Sequence, residues 1–216
     1  MDDRFRLALN HLYKTFHAPC PREIVGCPCC LDRKGIKTLH SKLLHDLTPN
    51  DLSSYASSVF LTVGDIPDFR YFLPRIMEIS ATDDGWWPSP EVALGKLTLA
   101  GWSRWPEMER QAILEFIDAW FCQWAAKQQV EDNFREGPDL GALICGMARA
   151  EIGLKTYLAK LLPYPNALKS VYLGGVGERS GNGRFVNGFW DEHDDAATVV
   201  VSFINSEAAQ AEMWKD

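Results

Sequence analysis

Four cysteines, Cys20, Cys27, Cys29 and Cys30, fall within eleven residues near one end of the chain, and thiolates at that density are its most reactive feature. Cys27-Pro28-Cys29-Cys30 contains one CxxC pair. Joined to His17 and Cys20 it becomes an H-x2-C-x6-C-x2-C array, four soft ligands of the kind a tetrahedral zinc ion takes. The two pairs are closer together than in common zinc modules, and the CxxC unit has no second CxxC to close on. Reduced cysteines packing an ordered loop as small hydrophobes is the competing expectation, and the sequence favours it. The expected state is therefore no cofactor, with zinc at His17, Cys20, Cys27 and Cys30 as the alternative. A dithiol redox centre would place its first thiolate at a helix N-terminus, usually behind a strand. No strand precedes Cys27, and Gly35 follows soon after it.

Two further clusters mix acids with other functional groups. Asp83 and Asp84 stand beside Trp86 and Trp87 in a stretch containing Gly85 and Pro88, which reads as a loop. Acids flanking exposed indoles suit recognition of a basic partner, the ring anchoring and the charge steering; a capping loop folded over the core is the plainer account. Asp191, Glu192, His193, Asp194 and Asp195 carry the ingredients of a metal or acid/base site. Consecutive helical residues point in different directions, so an acidic helix start facing solvent is the simpler reading. Gly174 to Gly188 holds six glycines, but no Gly-Lys-Ser/Thr follows, so a flexible connection is expected rather than a phosphate loop. No G-x-S-x-G elbow exists, and no histidine is paired with a nucleophile by a recognisable motif.

Composition narrows the function class. The chain has 216 residues, 46% hydrophobic, enough to bury a full core. Its net charge is −7, and no Lys/Arg stripe runs along it, which excludes a phosphate-backbone footprint and so nucleic acid as a partner. No apolar run approaches the ~18 residues of a membrane span, and the acidic start Met1-Asp2-Asp3 lacks the apolar core of a leader, so a cytoplasmic protein with reduced cysteines is expected.

The elements that must position these groups read as helices. Phe5, Leu9, Leu12 and Phe16 form one apolar stripe, ending near His17. Residues 19–35, with three prolines, form an ordered loop, and Ile36, Leu39 and Leu43 fit a short helix. Thr48-Pro49-Asn50-Asp51 is a strong start signal, and Leu52, Tyr55, Val59 and Val63 carry its stripe to Gly64. Asp65-Ile66-Pro67-Asp68 opens the next helix, in which Pro74 predicts a kink. Ser89-Pro90-Glu91 and Trp105-Pro106-Glu107 repeat the device, the second leading into a broad apolar face from Ile113 to Trp124. After Gly137-Pro138 one more helix carries Leu140 through Leu161, and Thr198 to Ile204 suits a helix better than a partnerless strand. The predicted fold is all-α, antiparallel helical hairpins stacked in a single solenoid-like domain: residues 1–173 with the Cys-rich loop 19–35, then 174–216 as a Gly-rich connection and C-terminal helices packed on the same domain.

The strings Gly26-Cys27-Pro28-Cys29-Cys30, Thr62-Val63-Gly64-Asp65, Asp68-Phe69-Arg70-Tyr71-Phe72-Leu73-Pro74-Arg75, Gly95-Lys96-Leu97 and Trp102-Ser103-Arg104-Trp105-Pro106-Glu107 resemble a family of bacterial helical proteins without an assigned biochemical role. The likeness spans roughly residues 5 to 125 and carries no catalytic residues with it. Some such proteins resemble immunity partners encoded beside secreted antibacterial toxins. The resemblance therefore implies a non-enzymatic, cytoplasmic protein-binding module that neutralises a toxin by direct binding. Asp83, Asp84, Trp86 and Trp87, with Asp191, Glu192, Asp194 and Asp195, are its expected partner surface. A small zinc protein or enzyme using His17, Cys20, Cys27 and Cys30, and a subunit of another complex, are the alternatives.

Overall fold

The computed structural model describes residues 2–130 and 137–215. Among them the fold is all-α: eleven α-helices, no strand, and only isolated β-bridges. No described helix is long and apolar enough to cross a membrane. The chain separates into two compact units, one ending at Phe116 and the other beginning at Ile117, rather than at the Gly-rich segment near residue 174.

The first unit contains α1 (Asp3–Thr15), α2 (Arg33–Ser41), α3 (Pro49–Ser58), α4 (Ile66–Thr82), α5 (Pro90–Leu99) and the opening turns of α6 (Glu107–Val130). Two of its start signals cap through side chains, whereas Ser89 ahead of α5 makes no side-chain cap bond. Thr48 and Asp51 close a capping box ahead of α3, and Asp65 and Asp68 close another ahead of α4. Helix α4 is the hub, packing on α1, α3 and α5, with Phe69, Phe72, Ile76 and Met77 in the core. Helix α1 reaches α4 past the two helices that lie between them in the chain. Pro74 lies inside α4, which continues past it to Thr82.

Two expectations here need amending. Helix α2 ends at Ser41, so Leu43 lies beyond it and is exposed. Helix α3 stops at Ser58, because Phe60 takes a left-handed backbone (φ 64°) and Lys96, only 3% exposed, donates to the Ser57 and Val59 carbonyls at 2.8 and 2.9 Å. A buried ammonium on the last carbonyls of a helix both satisfies them and complements the dipole. Val59 and Val63 are nevertheless buried, in a turn rather than on a helix. Arg70, Arg75, Asp65 and Asp68 are held in contacts between structural elements. Arg70 pairs with Glu109 and lies over the Trp105 ring, and Arg75 pairs with Glu78 while holding the Leu47 carbonyl at 2.8 Å.

The second unit contains the rest of α6, then α7 (Leu140–Arg149), α8 (Lys155–Ala159), α9 (Pro165–Leu173), α10 (Asp194–Ile204) and α11 (Glu207–Met213). The single helix expected from Leu140 to Leu161 is two, because Glu151 turns the chain in a left-handed conformation (φ 59°) before α8. Residues 198–204 are helical, within α10. Helices α10 and α11 pack on α9, and α10 also on α8. The Gly-rich segment is ordered rather than a flexible connection: Arg179 bridges antiparallel to Phe185, its guanidinium 4.0 Å over that ring, and Phe185 and Trp190 are buried.

Candidate functional site

The cysteine turn is built from backbone outwards. Three prolines between residues 19 and 28 keep the chain out of a helix, and Ile24 and Leu31, both buried, pin the two sides of the loop to the core. Between them the chain pairs with the turn after α3: Cys27 N–H donates to the Thr62 carbonyl at 2.8 Å, and Gly64 N–H to the Val25 carbonyl at 2.7 Å. This is a single antiparallel bridge, Gly26 opposite Val63. It needs glycine, because a Cβ at residue 26 would lie 2.5 Å from the Val63 Cα. The Gly26-Cys27-Pro28-Cys29-Cys30 and Thr62-Val63-Gly64-Asp65 segments therefore meet in space.

The Val63 turn is itself held firmly. Gly64 is left-handed (φ 68°), and a Cβ there would meet the Asp68 carboxylate at 3.0 Å and the Tyr55 ring at 3.2 Å. Asp68 is 2% exposed, and its Oδ1 accepts from the Tyr55 hydroxyl at 2.7 Å and the Asp65 amide at 2.9 Å. Burial raises the Asp68 pKa despite those two bonds. Burial first, then the Asp68 carboxylate, raises that of Tyr55.

On this support the chain folds back at Cys27. The Cys30 and Leu31 amides both donate to the Cys27 carbonyl at 3.1 Å, and Asp32 caps α2 by accepting the Gly35 amide at 2.7 Å. The turn brings the sulfur atoms of Cys27, Cys29 and Cys30 within 4.8 Å of one another. Cys27 Sγ lies 2.7 Å from Cys29 Sγ, which is 3.9 Å from Cys30 Sγ. The Cys29 thiol, then the Cys29 amide, hold Cys27 below the ordinary thiol range, with the Cys30 amide adding to the effect. Cys29, beside the Cys27 thiol first and then that of Cys30, is pushed up to about 11. Beside the sulfurs opens a cleft of about 370 Å³ lined by Cys29, Cys30, Asp32, Lys34, Asn50 and Asp51, among others. Asp51 is desolvated there, yet the Lys42 ammonium at 2.6 Å and the Thr48 hydroxyl and amide hold it below the usual carboxylate range.

The ligand set differs from the sequence-derived array. Among the described residues the only group of three or more potential metal ligands is Cys27, Cys29 and Cys30, without His17 or Cys20. Cys20 instead bonds the Tyr71 hydroxyl; burial first, then that thiol, push Tyr71 up to about 12. His17 is exposed beyond the end of α1. Residue spacing selected Cys30 as the partner of Cys27 and passed over Cys29; the fixed φ of Pro28, which bends the chain between them, was the available signal.

The acidic and aromatic residues are divided. Trp86 is 8% exposed, its indole N–H donating to the Pro49 carbonyl at 2.9 Å, so it is not a surface anchor. Trp87 is 55% exposed, and its carbonyl accepts the Ser53 hydroxyl at 2.6 Å. Asp83, at the end of α4, and Asp84 are exposed. In the second unit Asp191 is half-buried and Glu192, Asp194 and Asp195 are exposed; Glu192 has a left-handed backbone (φ 72°), and Asp194 pairs with Arg179. Only Asp194 and Asp195 lie in the first turn of α10, behind His193, whereas Asp191 and Glu192 precede the helix.

No family model, curated protein or solved structure matches this chain.

Proposed function

We propose that the function of this helical protein resides in the Cys27-Pro28-Cys29-Cys30 turn, which takes up one thiophilic metal ion of the zinc class. The observation carrying this reading is the convergence of three sulfurs within 4.8 Å on a backbone-pinned loop. Three protein ligands leave a fourth position of a tetrahedral ion open to water or an exogenous ligand. The adjoining polar cleft, lined by Cys29 and Cys30, gives such a ligand space. The amides that point at Cys27 are donors to a sulfur anion and orient it, as outer-shell bonds do around metal ligands. The test is zinc titration of the fully reduced protein against a chromophoric chelator. One equivalent bound by the wild type and lost in Cys27→Ser, Cys29→Ser and Cys30→Ser is expected; a folded, reduced wild type that binds none overturns the reading.

A second reading, recognition of a basic protein partner such as a toxin, rests on Trp87. Its exposed indole stands on a loop held by Trp86 and Ser53, and Asp83 and Asp84 beside it supply negative charge. A rigid aromatic flanked by acids is the arrangement expected of an interface anchor. In this reading Trp87→Ala speeds dissociation from the partner and Asp83→Lys/Asp84→Lys slows association. Unchanged kinetics in both variants would remove it.

A further inference from the structure

The same turn carries an oxidation chemistry distinct from metal uptake. Cys27 Sγ and Cys29 Sγ lie 2.7 Å apart, inside the separation at which two non-bonded sulfur atoms rest. Cys30 Sγ is farther from Cys29, at 3.9 Å. Cys29 is exposed and Cys27 half-buried, so a small disulfide can reach the pair. Of the other cysteines, Cys20 is engaged with Tyr71, and Cys122 and Cys145 belong to the second unit. Resting on the reading that this turn is the functional site, we propose that Cys27 and Cys29 are converted to a disulfide by exchange with a low-molecular-weight disulfide, and that this bond closes the site to metal.

The exchange balances without a further reagent. Cys27, whose sulfur accepts the Cys29 and Cys30 amides, attacks one sulfur of the incoming disulfide RSSR, forming a mixed disulfide and expelling RS⁻. Cys29 then attacks the Cys27 sulfur of the mixed disulfide, forming the Cys27–Cys29 bond and expelling a second RS⁻. Two protein thiols are oxidised, RSSR is reduced, and the two thiol protons leave on two RSH. Only Cys30 of the three ligands then remains, too few to hold the ion.

The experiment incubates the 216-residue protein with glutathione disulfide, counts free thiols by mass, and measures zinc competition before and after. Loss of two of the six thiols is expected. Zinc affinity should fall more than about 100-fold, beyond the cost of losing an outer-shell partner, and return with dithiothreitol. Cys30→Ser should still lose two thiols on oxidation, and Cys29→Ser should stop at a glutathione adduct. An internal bond that survives Cys29→Ser but not Cys30→Ser overturns the assignment, as does an oxidised wild type that binds zinc unchanged. Absence of zinc binding by the reduced protein overturns the metal reading and with it the closure, while thiol counting in the two serine variants still decides whether the Cys27–Cys29 bond forms.

Discussion

The cysteine turn is anchored on the turn that follows α3 and the tryptophan loop on the first turns of α3, and they use their reactive side chains in opposite ways. Around residue 27 the backbone does the holding. The Gly26 to Val63 bridge, the double donation to the Cys27 carbonyl and the flanking Ile24 and Leu31 fix the loop, leaving three sulfurs uncommitted to the core. Around residue 86 the functional-looking side chain is itself the support, since Trp86 is buried and bonded to the Pro49 carbonyl, and only Trp87 projects. A residue with unusual chemistry becomes available for function when its neighbours, rather than it, supply the stability.

That contrast orders the expected effects. Trp86→Ala removes a buried indole and its bond, so about 3–5 kcal/mol of stability should be lost in denaturant unfolding. A loss below about 1 kcal/mol would show that the loop does not depend on it. Gly26→Ala forces a Cβ onto Val63, and the overpacking should cost about 1–3 kcal/mol and impair zinc uptake together; unaltered zinc affinity in a destabilised variant would separate the bridge from the site. Asp51→Asn weakens the α3 capping box, a change of about 1 kcal/mol. Because Asp51 is held below its ordinary value when folded, its contribution is present above the unfolded carboxylate pKa and is lost as pH falls through the depressed folded value. The stability gap between wild type and Asp51→Asn should therefore be full at pH 7 and narrow on acidification. A gap that widens on acidification reverses the assignment. Trp87→Ala should change stability least, within about 0.5 kcal/mol, as for an exposed side chain.

The helices were legible in the sequence because their determinants are local. Thr48-Pro49-Asn50-Asp51 and Asp65-Ile66-Pro67-Asp68 read as helix starts, and helices begin at both, each behind a capping box. The run Thr198 to Ile204 could be assigned to a helix because no partner strand was in view, and it lies within α10. The candidate site was only half legible. Cys27 and Cys30 followed from spacing, whereas the bridge that presents them joins residues more than thirty apart, a pairing that helical periodicity hides by reading Val59 and Val63 as one stripe. Cys20 was drawn into the array by proximity in sequence, but its bond to Tyr71 comes from α4. Glycine number likewise misled at residues 174–188, where the Arg179 to Phe185 contact orders a segment composed like a linker.

The central claim is the identity of the metal-holding cysteines, and cobalt(II) substitution tests it most directly, since thiolate-to-cobalt charge-transfer intensity scales with the number of bound sulfurs. A tetrahedral cobalt spectrum is expected that is unchanged in His17→Ala and Cys20→Ser and loses about a third of its charge-transfer intensity, or the metal altogether, in Cys29→Ser. A spectrum abolished by Cys20→Ser and indifferent to Cys29→Ser would contradict it.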